Sequence, residues 1–420
     1  MTGILILLAY VVLFVVAYFV VGLVQRGAQR RDYTSLKTVT FGDESAVRPN
    51  RAASVLSVLV IFLIWGAFTG SRLVPIHVPG PFTGDASFTY TARDASGATD
   101  DAEVLVRVAR RNDTIEAPRI EPGDGFALND AYEEDAWGSG ILRVERNDEG
   151  EGVEIVAIDG RPFAPGDTIA VEGGTVTITG RGALNFAPDP GLQMEPIWLP
   201  SPEAVASRLV EIAGEGYQNF SLWSHLYWSL RRVIIGFALG TIVGIPLGYA
   251  MGLSGWFRGW FDPIVEFMRP IPPLALIPLV IIWFGIFETG KNVLLFLAAL
   301  WIMTIAARAG VSGVNITKIH AAYSLGASKW QILRHVIIPN SLPEIFTGAR
   351  VAMGVCWGTV VAAELVAAQK GAGMMIIAAS KFQLTDIVLM GIILIGIIGY
   401  AIDTLMRMAE RWLVPWKGRA

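Results

Sequence analysis

Glu364 is a carboxylate inside an apolar run, and such an acid is a functional candidate because a charge in a bilayer is costly. It follows Glu344 by 20 residues, which is about 30 Å along a helix at roughly 1.5 Å per residue. This distance predicts a position near the far membrane interface, either in a structural ion pair or beside a solute path. Trp357 lies in the stretch from Gly354 to Gly358, where it either packs in a core or lines a gate.

Acidic residues between Ser71 and Pro200 form a second candidate group. Calcium prefers carboxylate oxygens, and Asp100, Asp101 and Asp135 are candidate ligands. Further acids in the same segment are Glu133, Glu134, Asp148 and Glu149. Because no spacing here matches a fixed calcium loop, a solvated acidic surface is the alternative interpretation.

No other set of residues has the spacing of a catalytic site. The chain contains four His and one Cys, without the spacing of metal ligands, and no nucleophile is patterned with a base. The sequence also lacks a Gly-x-x-x-x-Gly-Lys-Ser/Thr nucleotide loop and a basic nucleic-acid surface. We therefore expect a protein that is not an enzyme by itself and has no cofactor and no nucleic-acid partner.

The composition points to the lipid bilayer. Of 420 residues, 53% are hydrophobic and 17% are charged, against about a quarter charged in ordinary soluble domains. From Ser71 to Phe220, 26 acidic residues stand against 11 Arg, a net charge of −15. The rest of the chain has 22 basic and 11 acidic residues, a net charge of +11. This segregation predicts two compartments.

Seven apolar segments predict seven membrane crossings. They are Ile4–Val24, Ala52–Phe68, Val233–Met251, Leu274–Phe287, Val293–Ala307, Ile345–Ala368 and Ile387–Ala401. Basic residues cluster in the loops that stay in the cytoplasm, so we expect the N-terminus outside, the acidic block in the periplasm and the C-terminus inside. A signal peptide is the alternative for the first segment, but no positive charge precedes it and it is too long.

These expectations divide the chain into five parts. They are an extra N-terminal span (1–25), a basic cytoplasmic loop (26–51), a second span (52–70), an acidic periplasmic insert (71–200) and a membrane core (201–420). In the insert, apolar residues alternate along two strands, at Phe88, Tyr90 and Ala92 and at Val104, Val106 and Val108. Further strands are predicted at Val153–Ile158, Thr168–Val171 and Thr175–Thr179. A small β-sandwich follows from this spacing.

The segment over 308–340 is too polar to span the membrane but has two parts with helical character. These are Ile316–Leu325 and Lys329–Ile338, separated by Gly326. The segment therefore predicts a helix–Gly–helix hairpin between two spans. A structured loop in this position indicates a binding partner on the cytoplasmic face.

Helix termini and close contacts are also predicted within the core. Ser328 and Gln331 form a capping box for the second hairpin helix, Pro339 ends it, and Ser341 with Glu344 caps the next span. Small residues four apart predict a flat strip for close helix packing, at Gly236, Gly240, Gly244 and Gly248. An i,i+4 ion pair is predicted between Asp403 and Arg407.

The hairpin resembles the EAA loop of ABC-importer permeases. That family has Glu-Ala-Ala, three residues, Gly, and later a hydrophobic stretch ending in Pro. Ala321, Ala322, Gly326 and Pro339 match this pattern, whereas His320 stands where the family most often has Glu.

The similarity extends over about half of the chain, roughly Leu199–Gly418. Several motifs are typical of the taurine, nitrate and alkanesulfonate permeases: Asp262-Pro263, Arg269–Pro273, Trp283–Gly285, Ala362–Ala368 and Thr385-Asp386. Leu342–Gly348 and Pro415–Gly418 are most similar to the taurine permeases. In the insert, Ala86–Val108 and Glu151–Pro190 resemble cadherin-like repeats of bacterial surface proteins.

The resemblance implies a mainly α-helical polytopic protein of the bacterial inner membrane, with a type I ABC importer transmembrane fold and an inserted β-sandwich. It implies a homodimer of permease subunits, a cytoplasmic pair of ATP-binding subunits and a periplasmic solute-binding protein. The loop residues that would contact the ATPase are His320, Ala321, Ala322, Gly326, Ala327 and Pro339. The implied solute is a small sulfonate, with taurine favoured over nitrate or an alkanesulfonate.

Two other classes of protein are alternatives. In a membrane-anchored adhesion or sensing protein, the β insert would be the active part and the spans an anchor. An anchor, however, needs no structured hairpin between spans. An ion-coupled secondary transporter would show inverted repeats and midplane coupling charges, and the sequence shows neither. Co-purification with an ATPase subunit distinguishes the three classes.

Overall fold

The computed structural model describes residues 8, 12, 13, 15–20, 22, 23, 51–110, 118–149, 152–180 and 182–416, without the side chains of 51–53, 366 and 367. About half of the predicted span Ile4–Val24, and the predicted basic loop apart from Arg51, therefore lie outside the described residues. The chain divides into two compact units, Met1–Glu203 and Ala204–Ala420.

The first unit contains an apolar helix and a β-sandwich. Helix α1 is Arg51–Thr69, close to the predicted Ala52–Phe68. The strands are β1 Gly84–Arg93, β2 Thr99–Ala109, β3 Asp130–Asp135, β4 Gly140–Leu142, β5 Glu154–Ile158, β6 Arg161–Pro162, β7 Thr168–Val171, β8 Gly174–Ile178 and β9 Leu184–Pro188. One sheet has the order β3-β2-β1-β5-β6 and the other β4-β9-β8-β7. The predicted insert of β-sandwich type is confirmed.

The core of the sandwich forms from the alternating residues of β1 and β2. Phe88, Tyr90 and Ala92 are buried on β1, and the facing valines of β2 are buried with them. Phe88 stacks on Phe186 of the second sheet, with ring centroids 6.4 Å apart. The edge strand β3 was not predicted, because four of its six residues are acidic. Edge strands tolerate charge, which discourages pairing with other chains.

The insert begins and ends at adjacent points. The Phe82 N–H donates to the Asp189 carbonyl (2.8 Å), and the Leu192 N–H donates to the Pro79 carbonyl (2.8 Å). Gln193 lies beside Gly80, whose added Cβ would come within 3.0 Å of the Gln193 side chain. The chain thus enters and leaves the sandwich through paired backbone segments.

The second unit is helical. Its helices are α2 Pro202–Glu215, α3 Leu222–Leu253, α4 Gly255–Met268, α5 Ile277–Phe284, α6 Glu288–Ser312, α7 Ile316–Ser324, α8 Lys329–Ile332, α9 Ile338–Ala367, α10 Ala372–Lys381 and α11 Thr385–Leu413. Among the described residues, four helical stretches are long and apolar enough to cross a membrane: Leu222–Leu253, Glu288–Ser312, Lys329–Leu365 and Thr385–Leu413. The described part of α1 is a shorter apolar helix, Ser54–Thr69.

The predicted span Leu274–Phe287 has a different form. Gly255–Met268 and Pro273–Phe284 make a helical pair bent by 92°, either a broken span or a re-entrant loop. Pro272 and Pro273 lie at the bend, and proline lacks the N–H that would continue the helix. Helix α10 was not predicted at all.

The glycine strip of α3 packs against α6, as the sequence predicts. All four glycines are buried. Gly236 lies opposite Leu295, Gly240 opposite Ala299, Gly244 opposite Met303 and Gly248 opposite Ala307. Because the residue numbers of these contact pairs increase in the same direction along both helices, α3 and α6 run parallel. A Cβ added at Gly240 would lie 2.5 Å from the Ala299 Cβ, so the close approach depends on glycine.

Helix α9 runs antiparallel to α6 and defines two ends of the bundle. Gly310 packs against Ser341, whereas the Cys356 Sγ lies 3.5 Å from the Leu295 carbonyl. The start of α9 therefore lies with the C-termini of α3 and α6, at what we call the hairpin end. The starts of α3 and α6 and the end of α9 lie together at the other end, which we call the cluster end.

Candidate functional site

The predicted hairpin forms at the hairpin end. Helix α7 is capped by Asn315, whose side chain accepts from the Thr317 N–H (2.9 Å). The capping box at the start of α8 is confirmed: the Ser328 N–H donates to Gln331 (2.8 Å), and the Gln331 N–H donates to Ser328 (3.3 Å). Gly326 between the helices has a φ of +81°. This left-handed conformation favours glycine.

The hairpin is anchored on one side and exposed on the other. Val311, Ile332 and Ile337 form a buried core beneath it, with Ala322 and Ala327 partly buried against this core. The outer surface exposes large apolar side chains, Tyr323, Leu325 (88% exposed) and Trp330, beside His320, Ala321 and Gly326. Exposed apolar groups beside small residues are typical of a docking surface.

Two predicted helix termini are wrong. Pro339 does not end the second hairpin helix, because a π-helical segment, Leu333–Ile337, leads directly into α9. Pro339 lies in the first turn of α9, where its missing N–H matters least. Ser341 lies inside α9 and donates to the Ile338 carbonyl (2.9 Å) instead of capping a helix. The second hairpin helix and the span are consequently one continuous helical stretch, Lys329–Leu365.

A group of four charges, three of them buried, lies at the cluster end. The Arg232 Nη1 donates to Glu364 (2.6 Å), and the same guanidinium binds Glu288 through Nε and Nη2 (2.7 Å each). The Arg232 side chain is 2% exposed and that of Glu364 is 0% exposed. Lys291 donates to Glu288 (3.1 Å). We call Arg232, Lys291, Glu288 and Glu364 the charge cluster.

The segment after α9 is tied to α3 through this cluster. Ser229 donates to Glu364 (2.8 Å) and accepts from the Ala372 N–H (2.9 Å). The Gly371 N–H donates to His225 Nδ1 (3.1 Å), and His225 Nε2 lies 3.2 Å from the Tyr217 carbonyl oxygen. A Cβ added at Gly371 would lie 2.3 Å from the Glu364 carboxyl carbon. Glycine is therefore required where the backbone passes the buried acid.

Both intramembrane candidates, Glu364 and Trp357, contact neighbouring helices in the structure. The ion-pair alternative for Glu364 is confirmed by its contact with Arg232. Trp357 is buried against α11, and its Nε1–H donates to the Ile395 carbonyl (3.0 Å). Core packing of Trp357 is therefore confirmed. The predicted pair Asp403–Arg407 is also present, at 2.8 Å.

The candidate calcium ligands do not come together. Asp100 accepts from the Ala127 N–H, and Asp101 accepts from the Thr91 hydroxyl. Asp135 pairs with Ala109 at the opposite end of β2, about 30 Å away at roughly 3.3 Å per residue. Among the described residues, no group of three His, Cys, Asp or Glu side chains is placed to bind a metal ion.

Asp130 is a buried acid of the insert with one carboxylate oxygen that has no hydrogen bond. It is 8% exposed, and its Oδ1 accepts from the Tyr132 hydroxyl (3.3 Å), whereas its Oδ2 is buried without a hydrogen bond. Burial raises the pKa of Asp130 to about 7; the Tyr132 hydrogen bond opposes this shift and the charge of Asp148 adds to it. The folded state therefore retains a proton that the unfolded chain releases near pH 4.

We expect the sandwich to lose stability as the pH rises from about 4 to about 7. In this window the folded state binds the Asp130 proton and the unfolded state does not. The free energy of unfolding therefore falls by up to about 4 kcal/mol as the pH rises. Above pH 7 the effect of Asp130 on the free energy of unfolding is constant, because the carboxyl is ionised in both states. Thermal unfolding of the protein in detergent, followed through the β-sheet circular dichroism signal, measures this slope. Asp130→Asn should flatten it, and Asp124→Asn, an exposed acid of the same unit, should not. An equal slope in both variants would refute the assignment.

Comparison with known proteins places these features in a family. A family model described as "Binding-protein-dependent transport system inner membrane component" matches residues 240–415. The taurine transport system permease protein TauC of Escherichia coli (strain K12) is 47% identical over 226 residues, 54% of this chain and 82% of that protein. The putative aliphatic sulfonates transport permease protein SsuC of the same organism is 37% identical over 218 residues (52% and 81%). The nitrate import permease protein NrtB of Synechocystis sp. is 30% identical over 222 residues (52% and 81%).

The family model covers most of the helical unit and leaves out the first 239 residues. The three relatives each match about half of the chain. The resemblance inferred from the hairpin and the core motifs is confirmed, including its group of taurine, aliphatic sulfonate and nitrate relatives. The multi-pass character expected from the apolar segments agrees with the spanning helices. The chain belongs to the family of binding-protein-dependent transport system inner membrane components, which are permease subunits of ABC transporters.

Proposed function

We propose that this chain is the membrane-spanning subunit of an ATP-driven importer that moves taurine into the cytoplasm. Two copies form a homodimer around a central path. A pair of cytoplasmic ATPase subunits hydrolyses ATP, and a periplasmic binding protein delivers the solute. The observation that carries this proposal is the exposed hairpin, which is continuous with a spanning helix.

The hairpin acts as a lever in this proposal. Lys329–Leu365 is a single stretch of 37 residues, about 55 Å long at roughly 1.5 Å per residue. It connects the exposed surface around Leu325 to Glu364 in the charge cluster. When the ATPase moves the hairpin, a rigid helix transmits the displacement to the other end of the bundle. We place His320, Ala321 and Gly326 in the docking surface, Ala322 and Ala327 beneath it against the hairpin core, and Pro339 at the entry to the lever.

Taurine is favoured as the solute by degree of similarity. The taurine relative is more similar than the aliphatic sulfonate and nitrate relatives, at 47%, 37% and 30% identity. All three named solutes are small, and each carries an anionic group. Import of an alkanesulfonate or of nitrate by the same mechanism is the alternative.

The test is transport by purified components. The chain is co-expressed with its ATPase subunit, reconstituted in proteoliposomes, and supplied with the binding protein encoded beside its gene. We expect ATP-dependent uptake of radiolabelled taurine, with competition by an excess of ethanesulfonate weaker than by unlabelled taurine. Failure of the ATPase subunit to co-purify would favour a membrane-anchored adhesion or sensing protein. ATP-dependent uptake of radiolabelled nitrate or alkanesulfonate by the same proteoliposomes, without uptake of taurine, would reassign the solute.

We place the β insert in the periplasm, where its acidic surface docks the binding protein or another envelope component. Deleting Pro81–Pro190 and joining the paired ends near Pro79 and Leu192 with a short flexible linker should preserve assembly with the ATPase, because the helical unit has its own core. The deletion should raise the taurine concentration for half-maximal uptake, and added salt should produce part of the same change in the full chain. Loss of assembly, with the spans still inserted, would show that the insert braces the dimer instead.

A further inference from the structure

A cavity of about 430 Å³ opens beside the charge cluster. Its lining comes from three places in the fold: Trp228 and Arg232 on α3, Glu288 and Lys291 at the start of α6, and Lys370 after α9. The volume lies within the range of small-molecule sites, which combine apolar walls with a few polar groups. The cavity lies at the cluster end, opposite the hairpin.

The charged side chains around the cavity carry an excess of positive charge. Among the lining residues, Arg232, Lys291 and Lys370 contribute three positive charges and Glu288 contributes one negative charge. Glu364 does not line the cavity but pairs with Arg232, and counting its carboxylate leaves a net charge of +1 for the five groups. Within a partly desolvated site an uncompensated cation is costly unless an anion joins it. The cavity therefore favours a ligand with one negative group.

Arg232 fixes the wall of the cavity and is not available to a ligand. Its Nε and Nη2 bind Glu288, and its Nη1 binds Glu364 and the Lys370 carbonyl (2.7 Å). This last bond positions the backbone of Lys370 directly. The guanidinium thus organises the site and contributes a fixed positive charge.

Lys370 is the cation with free donors. Its Nζ lies 4.2 Å from the centroid of the Phe220 ring and 5.7 Å from that of Trp228. Within the described part of the helical unit, no carboxylate lies within ion-pair distance of it. Lys291 has one carboxylate partner, Glu288, which leaves two of its three N–H groups for a ligand.

We propose that this cavity binds the sulfonate group of the transported solute, with the Lys370 ammonium as the direct contact and Lys291 beside it. The proposal rests on the proposed function and assigns a solute site to the permease itself. A sulfonate has three acceptor oxygens and a single delocalised charge, which match the free donors and the net charge of +1. Phe220 and Trp228 exclude water from one side and strengthen the ionic contact.

The site is tested by direct binding. The purified permease–ATPase complex in detergent, without the binding protein, is dialysed to equilibrium against radiolabelled taurine. We expect saturable binding that ethanesulfonate displaces and ethanolamine, which has the amine but no sulfonate, does not. Lys370→Gln should weaken binding roughly tenfold, as expected for loss of one charged hydrogen bond. Lys370→Arg should retain most of the affinity, and Lys381→Gln, an exposed lysine at the end of α10, should retain all of it.

Two results would overturn the site. One is equal taurine affinity in the wild type and Lys370→Gln. The other is the absence of saturable binding to the wild type at concentrations up to about 10 mM. Uptake by the same wild-type preparation, with its binding protein, separates the two proposals. ATP-driven taurine uptake without direct binding refutes the cavity site alone, whereas the absence of any ATP-driven uptake refutes the proposed function.

Discussion

Gly326→Glu is expected to leave the protein inserted and assembled but to reduce ATP-driven uptake by at least about tenfold, while ATP hydrolysis continues. Gly326 lies at the tip of the exposed hairpin, and apart from its two sequence neighbours no described residue has an atom within 4 Å of an added Cβ. The substitution therefore changes the surface that meets the ATPase and leaves the packing of the chain intact. Uptake and hydrolysis are measured together in the same proteoliposomes.

The positive φ of Gly326 requires a matched control, because any side chain there also strains the backbone by about 1–2 kcal/mol. Gly160 offers the same conditions in the insert: its φ is +68° and an added Cβ has nothing within 4 Å. Gly160→Glu should transport normally. Normal transport by Gly326→Glu would contradict the assignment of the hairpin as the coupling element.

Arg232→Met should destabilise the helical unit by about 3–5 kcal/mol, because it leaves the buried Glu364 carboxylate without its ionic partner. Arg232 also donates hydrogen bonds to Glu288 and to the Lys370 carbonyl, so its loss should loosen the cluster end. Thermal unfolding of the detergent-solubilised protein measures the effect as a large fall in Tm.

Two further variants identify the cause of this loss. The double variant Arg232→Met/Glu364→Gln removes the unpaired charge and should recover part of the stability. Arg231→Met changes an adjacent, exposed arginine and should have little effect on Tm. A double variant no more stable than Arg232→Met would mean that the ion pair is not the source of the stability.

The features that the sequence predicts well are those governed by local periodicity. Alternation identified β1 and β2, because one face of each strand is buried and the other exposed. The four-residue spacing of glycines identified a close helix contact on α3, although only the structure shows that its partner is α6. The capping box at Ser328 identified the start of α8, since cap residues are specific to helix termini.

The charge cluster was missed because it depends on contacts between distant segments. The predicted span begins at Val233, so Arg232 falls just outside it, whereas α3 begins at Leu222. Only Glu364 was recognised as an intramembrane charge. The adjacent Arg231 and Arg232 were a usable signal, since a buried acid requires a cationic partner.

The prediction that Pro339 ends a helix was wrong for a different reason. By sequence alone, a proline in the first turn of a helix cannot be distinguished from one that ends the preceding helix.

In the proposed mechanism the β insert lies in the periplasm and the hairpin docks a cytoplasmic ATPase, so the most direct test is on which side of the membrane each of these two parts lies. Cys356, the only cysteine, is replaced by alanine, and single cysteines are introduced as Ala95→Cys in the exposed β1–β2 turn and Ser324→Cys on the exposed hairpin. A membrane-impermeant maleimide is added to spheroplasts before and after permeabilisation. We expect Ala95→Cys to react in intact spheroplasts and Ser324→Cys to react only after permeabilisation. Labelling of Ser324→Cys in intact spheroplasts would place the hairpin outside the cell and contradict its role in docking a cytoplasmic ATPase.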